Sequence, residues 1–457
     1  MIPIAGTAVL TAAQMRAAEE KAIAAGTGVD TLMQRAGAGV ADAVRRLAGV
    51  NEVLVLCGPG NNGGDGYVAA ARLHAAGPSV RVAASAEPRT PAAIAARALW
   101  TGAVEPLATA APAPVVVDAL FGTGLSRALD TDVSTALNRF VSHANLAIAV
   151  DLPSGIATDD GALLGDLPAF HVTLALGAAK PAHLLQPSAV HCGAVRLLPI
   201  GVTTDSDVRV LSRPDLPAPA IDAHKFTRGM VAVIRGRMAG AAQLAAQAAM
   251  HAGAGYVEIL GATIPGAPHA LVRRRCDDSA LADPRIGAVL IGPGLGRDDA
   301  ARALLDQALA TDRPLVIDGD ALHLVTPERL HGRPAETILT PHAGEFAALF
   351  AASDTDKLTA ARAAATRANA TIVFKGPDTV IAAADGRAVL SPAASSWLST
   401  AGSGDVLAGA IAAMLAGGGT PLDAAAAGVW LHGEAARRLG PAFIADDLAE
   451  ALTGARA

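Results

Sequence analysis

Residues 399 to 410 read Ser-Thr-Ala-Gly-Ser-Gly-Asp-Val-Leu-Ala-Gly-Ala. The small residues Ala401, Gly402, Ser403 and Gly404 lead to Asp405, and an apolar run of helical character, Val406 to Leu415, follows at once. Such a loop lets backbone N–H groups approach an anion, and the helix N-terminus adds positive partial charge. A carboxylate would repel a phosphate that was merely held there. It makes sense as a base that takes a proton from a hydroxyl attacking the phosphate. The alternative is a Gly-rich turn with Asp405 as helix N-cap.

Other stretches carry similar chemistry. Gly58-Pro-Gly-Asn-Asn-Gly-Gly-Asp-Gly66 follows the apolar run Val53 to Cys57, and its amides from Gly60 on could wrap a phosphate. Asn61 and Asn62 bring amide oxygens and Asp65 a carboxylate. Asn62, Asp118 and Ser154 together offer hard oxygen ligands for a small cation. Asp151 could serve as an acid/base group if partly buried, or as a turn cap. Lys375-Gly-Pro-Asp-Thr379 suits a clamp on a nucleotide phosphate, with the ammonium as a point charge. The chain has 36 Lys and Arg in all, of which only Lys21, Lys180, Lys225, Lys357 and Lys375 are lysine. A chain so sparing of lysine is expected to keep it where an ammonium is needed, and Lys180, Lys225 and Lys375 all fall in motif-like stretches. His342, among small residues, suits either a substrate contact or a structural role.

The elements that must position these groups alternate β and α. Helices are expected over residues 8–26, with Thr11 as N-cap, and 31–48. Strands are expected at 53–57, 79–84, 114–118, 146–151 and 171–177, with a helix over 67–76. Each of four strands ends in polar or glycine-rich chemistry at one edge of a sheet, where open α/β sheets bind ligands. Prolines at 214, 217 and 219 suggest a linker over 211–221 between a domain at 1–210 and another at 222–457. The second half again alternates: strands at 230–234, 255–260, 288–291, 314–318, 337–340 and 371–376, then a hairpin over 380–390.

Composition excludes several classes. A chain of 457 residues is too long for one ordinary domain. The hydrophobic fraction of 52% is inflated by alanine, and the uncharged stretch Met238 to Val257 reads as a buried core helix, not a membrane span. The N-terminus lacks the basic segment of a signal peptide. Three widely spaced cysteines, Cys57, Cys192 and Cys276, fit reduced thiols in a cytoplasmic protein and argue against structural zinc. A net charge of −6 without a long basic block argues against nucleic acid as partner.

Gly60-Asn-Asn-Gly-Gly-Asp-Gly66, Val117-Asp-Ala-Leu-Phe-Gly-Thr-Gly124 and Val150-Asp-Leu-Pro-Ser-Gly155 resemble the NAD(P)H-hydrate epimerase domain. Gly292-Pro-Gly-Leu-Gly296, Leu339-Thr-Pro-His-Ala-Gly-Glu345, Lys375-Gly and Thr400-Ala-Gly-Ser-Gly-Asp405 resemble the NAD(P)H-hydrate dehydratase domain. Their order is similar to that in the bifunctional NAD(P)H-hydrate repair family. The resemblance implies a Rossmann-like three-layer α/β domain followed by a ribokinase-like α/β domain. It implies epimerisation of R- and S-NAD(P)HX and dehydration of the S epimer at the expense of ADP, giving AMP and phosphate. The expected small-molecule partners are NADHX, NADPHX and ADP, the cofactors potassium for the epimerase and magnesium with ADP for the dehydratase. A cytoplasmic homo-oligomer without membrane association is expected.

By the same resemblance, Asn61, Asn62, Gly63, Gly64, Asp65, Gly122, Thr123, Gly124, Leu125, Ser126, Arg127, Ala128 and Asp151 contact the hydrate in the epimerase. Asn62, Asp118 and Ser154 match potassium ligands, and Asp151 is the candidate acid/base group. In the dehydratase, Ala241, Gly294, Gly296, His342 and Asp405 match hydrate-contacting positions. Lys375, Gly376, Pro377, Asp378, Thr379 and Gly404 match the ADP/AMP site. Asp405 is the catalytic base, with Gly402, Ser403 and Gly404 stabilising the transferred phosphoryl group.

The chain departs from this pattern in the second domain. Family members there read His-Lys-Gly, Gly-Gly-Ser and Asp-Ala-Asp. Here the residues are His224-Lys225-Phe226, Arg235-Gly236-Arg237 and Asp318-Gly319-Asp320. Two guanidiniums near a phosphate site would either strengthen anion binding or fill it. Two rival readings are a ribokinase-like kinase for a vitamin precursor and a non-catalytic first domain that serves as an interaction module.

Overall fold

The computed structural model describes residues 1–262 and 266–457, and the chain divides into two compact units, Met1–Val210 and Leu211–Ala457. Residues 211–220 carry no regular secondary structure.

The first unit is built on the strands β1 (Ile2–Pro3), β2 (Val53–Cys57), β3 (Val80–Ala84), β4 (Val104–Pro106), β5 (Val115–Ala119), β6 (Leu146–Val150), β7 (Val172–Leu176) and β8 (Ala194–Leu198). Their spatial order is β1-β8-β7-β6-β5-β2-β3-β4, parallel from β8 to β4, with β1 antiparallel at the edge. A short β9 (Val208–Val210) follows, and Arg209 bridges to Ala8. The chain leaves β2 toward β3 on one side and returns to β5 on the other. That reversal opens a crevice beyond the carboxyl ends of β2 and β5.

Alternation along β2 produces the layers. Val53, Val55 and Cys57 join one core with helices Val29–Ala48 and Asn61–Ala75, while Leu54 and Leu56 join another with Leu137 and Phe140 of helix Thr131–His143. Burial on both faces is what a continuous apolar strand encodes.

Helix Asn61–Ala75 begins six residues before the expected Tyr67, so the glycine-rich stretch is largely helix and only partly loop. Packing explains this. A Cβ on Gly63 would lie 1.9 Å from the carbonyl oxygen of Gly58, and one on Gly66 2.7 Å from Cβ of Ala119. The glycines let a helix start directly on the strand that feeds it.

The second unit carries β10 (Met230–Ile234), β11 (Tyr256–Leu260), β12 (Val272–Arg274), β13 (Ala288–Ile291), β14 (Leu315–Ile317), β15 (Thr337–Leu339) and β16 (Thr371–Phe374), parallel in the order β12-β11-β10-β13-β14-β15-β16. The expected hairpin is β17 (Val380–Ala382) and β18 (Ala388–Leu390), antiparallel to each other, with β17 antiparallel to β16. Helices Ala239–His251, Ser403–Ala416, Pro421–Leu439 and Ala445–Arg456 pack a common core on one face. A Cβ on Gly409 would meet the carbonyl oxygen of Ala245 at 2.1 Å, so these helices touch backbone to backbone. The alanine content therefore serves close helix packing. No described helix is long and apolar enough to cross a membrane. The uncharged stretch from Met238 splits into helix Ala239–His251 and the start of β11. Both units are α/β, as the sequence implies.

Candidate active sites

In the first unit, the crevice beyond β2 and β5 holds a cavity of about 510 Å³. Asn61, Asn62, Asp65, Thr123, Asp151 and Lys180 are among the residues that line it. Asp151 follows β6 in the left-handed region, at φ 68°, where Asp is tolerated better than most side chains. Oδ1 accepts from the Lys180 ammonium and from the N–H of Leu176 (3.2 Å), and Oδ2 from the N–H of Thr123 (3.4 Å). Lys180 is 1% exposed and also donates to the carbonyl oxygen of Leu176 at 2.8 Å.

His183 braces this pair. Its Nδ1 accepts from the N–H of Lys180 at 3.0 Å, so the ring proton sits on Nε2, 2.7 Å from the Asp151 carbonyl oxygen. Burial holds His183 neutral, with its pKa pushed down to about 4. Two more carboxyls share the cavity. Burial raises the pKa of Asp65 well above the carboxylate range, and Asp151 and Glu19 push it the same way. Glu19 is raised too, by burial first and then by Asp151. One ammonium thus stands near three carboxyl groups, and burial together with their mutual repulsion favours the neutral form of Asp65 and Glu19.

Asp118 closes β5 and is fully buried. It accepts from the N–H of Leu120 (3.0 Å), the N–H of Ser154 (2.9 Å) and the Ser154 hydroxyl (2.8 Å). No cationic side chain pairs with it among the described residues. Burial raises its pKa to about 6. Asn62 lies against Gly122, whose added Cβ would be 3.2 Å from the Asn62 amide oxygen, and its Nδ2 is buried without a partner. Hard oxygens around an uncompensated buried carboxylate fit a monovalent cation in their chemistry.

The expected hydrate contacts divide. Asn61, Asn62, Asp65, Gly122, Thr123, Gly124, Leu125 and Asp151 line the cavity; Gly63 and Gly64 are packed inside the helix start, and Ser126, Arg127 and Ala128 are exposed outside the lining. Glu19 and His183 were missed by sequence reasoning. Neither sits in a glycine-rich motif, and only the fold brings helix Ala12–Ala24 and the turn after Lys180 to the crevice.

In the second unit, Asp405 lies in the first turn of helix Ser403–Ala416, three residues earlier than the expected helix start at Val406. Gly402, at φ 87°, is the N-cap. The Lys375 ammonium contacts Asp318 Oδ1 at 2.8 Å and Glu345 Oε2 at 3.7 Å, and an added Cβ on Gly404 would be 3.5 Å from it. Burial works against the ammonium, but Asp318, Glu345 and Asp405 outweigh it and raise the Lys375 pKa. Asp405 is raised to about 7, by burial first and then by Asp318, against the lowering pull of Lys375. A carboxylate poised near neutrality beside a fixed ammonium and a helix N-terminus can take a proton while an anion is held.

The rim of this site comes from neighbouring strand ends. Gly294, at φ 59°, packs against residues 238–241, where its added Cβ would be 3.0 Å from that of Ala241. Gly296 donates its N–H to Asp320 Oδ2 at 2.9 Å. His342 is the N-cap of helix Ala343–Phe350: Nδ1 accepts from the N–H groups of Gly344 (3.0 Å) and Glu345 (3.2 Å), and Glu345 caps in return. The ring is nevertheless exposed, with Nε2 3.5 Å from Glu345 Oε1.

The loop after β16 is not a simple clamp. Gly376 and Pro377 are exposed and Thr379 bonds back to the Gly376 carbonyl oxygen at 3.0 Å, but Asp378 is buried and paired with Lys357 at 2.6 Å. Lys357, which lies outside every motif, was missed, and it fixes the loop that carries Lys375. His432 was missed as well. It lies on helix Pro421–Leu439, and its Nε2 reaches the Ser403 carbonyl oxygen at 2.9 Å. Burial lowers its pKa to about 4.

Lys225 does not belong to the site, against the expectation from lysine scarcity. Its ammonium lies 5.0 Å from the ring centroids of Phe226 and Tyr256, at the amino ends of β10 and β11. Phe226 also meets Tyr256 at 5.3 Å and Arg285 at 4.5 Å. That departure is therefore a packing cluster on the edge of the sheet opposite Asp405.

The family model described as NAD(P)H-hydrate dehydratase matches residues 231–453, and that described as YjeF-related protein N-terminus matches residues 29–182. The bifunctional NAD(P)H-hydrate repair enzyme Nnr of Salinibacter ruber is 34% identical over 94% of this chain and 92% of its own length. The chain belongs to the bifunctional NAD(P)H-hydrate repair family. The Mycobacterium tuberculosis repair enzyme is 36% identical, with 85% of each chain covered. An ADP/ATP-dependent NAD(P)H-hydrate dehydratase from Bacillus subtilis, co-crystallised with ATP and Mg2+, aligns over 52% of this chain and 93% of its own. The identity is 30% and the TM-score 0.47. The alignments with the two repair-enzyme relatives extend over both units.

Proposed function

We propose that the chain repairs hydrated nicotinamide dinucleotides: the first unit interconverts R- and S-NAD(P)HX, and the second dehydrates the S epimer at the expense of ADP. The observation that carries the second activity is Asp405, with a pKa of about 7 and Lys375 above the same helix N-terminus. Asp405 takes the proton of the hydrate hydroxyl as its oxygen attacks the β-phosphorus of ADP. The bond to AMP breaks. The ring C–O bond of the new phosphate ester then breaks, phosphate departs with the electron pair, and loss of a proton from the adjacent ring carbon to water restores the double bond. Phosphorylation turns hydroxide into a good leaving group. Lys375 and the N–H groups of residues 402–404 offset charge on the moving phosphoryl group.

No group of three His, Cys, Asp or Glu converges as a metal site among the described residues. Magnesium therefore fits best as an ion carried by the ADP phosphates, where it would neutralise charge. In the first unit Asn62, Asp118 and Ser154 would hold potassium, which would compensate the buried Asp118 charge. Asp151, fixed by Lys180 and His183, is the proton-handling group of epimerisation, with Glu19 and Asp65 beside it. A cytoplasmic homo-oligomer remains part of this proposal. The kinase alternative accounts for the second unit alone, and relatives spanning both units favour repair.

The test is recovery of the reduced-nicotinamide absorbance from mixed-epimer NADHX with ADP, ATP or no nucleotide. Full recovery with stoichiometric AMP is expected. Asp405→Ala should abolish recovery, whereas Asp151→Asn should stop it at the S-epimer fraction. A stable phosphorylated product would instead establish the kinase reading.

A further inference from the structure

Two arginines of the second unit stand at the carboxyl end of β10 without an ion pair among the described residues. Arg235 follows β10 directly, with its N–H bonded to the Leu260 carbonyl oxygen at 2.9 Å. Its side chain is half-buried, and Nε is buried without an acceptor. Arg237 is exposed, and its Cβ lies 3.5 Å from the place a Cβ on Gly296 would take. Neither arginine forms an ion pair among the described residues. The rim carboxylate Asp320 is already taken by Arg297 and by the N–H of Gly296.

Arg235 lies beside Gly261, whose added Cβ would be 2.9 Å from its own, and the turn it opens packs on the loop beside Arg237. A Cβ on Gly236 would fall 2.2 Å from Leu295 Cα, so the Arg-Gly-Arg turn is held tightly against the Gly294–Gly296 loop. The N–H of Met238 donates to the Gly294 carbonyl oxygen at 2.8 Å. Helix Ala239–His251 then begins with no side-chain cap, and its first turn carries only Ala and Gly. One turn beyond Ala241, Leu244 packs against Gly402 at the head of the Asp405 helix: a Cβ on Gly402 would be 2.7 Å from it.

We propose that Arg235 and Arg237, with the open N-terminus of helix 239–251, form a phosphate subsite for the dinucleotide hydrate. The proposal rests on the repair reading above and names a recognition element for that substrate. A guanidinium fork and free helix N–H groups are the donors a phosphate takes. A dinucleotide offers two sources, the diphosphate shared by NADHX and NADPHX and the ribose 2′-phosphate of NADPHX alone.

The experiment measures kcat and KM for S-NADHX and S-NADPHX at saturating ADP, and KM for ADP at saturating hydrate, in the full chain. The variants are Arg235→Gln, Arg237→Gln and Arg235→Lys. Each Gln variant should raise the KM for a phosphate-bearing hydrate about tenfold, corresponding to ~1.4 kcal/mol, with kcat nearly unchanged. Arg235→Lys should recover part of the loss. A rise for NADPHX only assigns the 2′-phosphate, and an equal rise for both assigns the diphosphate. Arg237→Gln alters an exposed side chain, so its result stands even if Arg235 variants fold poorly. Unchanged KM for both hydrates overturns the subsite, as does a rise confined to the KM for ADP. A wild-type chain that dehydrates neither hydrate overturns the repair reading and the subsite with it, which separates that failure from the others.

Discussion

Lys375→Met separates two roles of one ammonium. In the wild-type chain Asp405 has a pKa of about 7, and Lys375 lowers it against burial, Asp318, Asp320 and Glu345. A general base must be ionised, so dehydratase kcat should rise with pH along an acid limb centred near 7. Removing the ammonium takes away the lowering influence, and the sign is upward. An opposite charge at such range shifts a carboxyl by about one to three pH units. A one-unit rise alone would cut the ionised fraction at pH 7 from about a half to about a tenth, a loss of about fivefold, with each unit equal to ~1.4 kcal/mol. That part of the loss should disappear above pH 9. The other role, direct neutralisation of phosphoryl oxygens, does not depend on Asp405 ionisation. It should lower the plateau itself by about 10²- to 10³-fold, as loss of one positioned donor does. The assay is a pH–rate profile with saturating ADP and S-NADHX, followed by nicotinamide absorbance. An acid limb that stays put, or moves down, would refute the electrostatic coupling. An unchanged plateau would refute the role of Lys375 at the phosphoryl group.

Two further outcomes follow from the first unit. Asp118 has a folded pKa of about 6, above its ordinary carboxylate value, so the folded state binds its proton more tightly than the unfolded state. The sign is therefore loss of stability as pH rises from about 4 to about 6, with the penalty fully present at pH 7. A potassium ion paired with the ionised group should offset it: Tm should rise with KCl at pH 7.5 more than at pH 5, relative to tetramethylammonium chloride, and Asp118→Asn should abolish the difference. Gly63→Ala should destabilise the unit by several kcal/mol, because the new Cβ would lie 1.9 Å from the Gly58 carbonyl oxygen; a Tm unchanged in differential scanning calorimetry would contradict the packing argument.

The strands were the most legible part of the chain. Val53–Cys57 and Met230–Ile234 lie where their apolar runs place them, because burial on both faces leaves no other pattern. Helix starts were less legible: Asn61 and Ser403 begin helices several residues early, and at Asn61 the glycines that look like loop residues serve close contact between the helix and the strands beneath it. At the sites, acids and lysines at strand ends could be singled out from sequence, as with Asp118, Asp151, Lys180 and Lys375. His183, Glu19, Lys357 and His432 could not. They act through tertiary contacts made by helices and turns whose local sequence carries no chemical pattern. Lysine scarcity pointed to Lys180, which lines the first cavity, to Lys375, which stands beside Gly404, and to Lys225, which lies over aromatic rings instead.

The aromatic cluster around Phe226 bears on how altered sequences are judged. A parallel sheet has polarity: one rim meets substrates, and the other only has to shed water and close the barrel of side chains beneath it. Phe226, Tyr256, Lys225 and Arg285 sit on the second rim, where a large ring in place of a glycine adds packing contacts away from Asp405. Motif erosion on that rim is drift in the scaffold. The same number of changes at the Arg235–Arg237 turn would alter what the enzyme recognises. Counting mismatches to a signature treats the two alike; weighting each by the rim it occupies would tell a decaying copy from a retuned one.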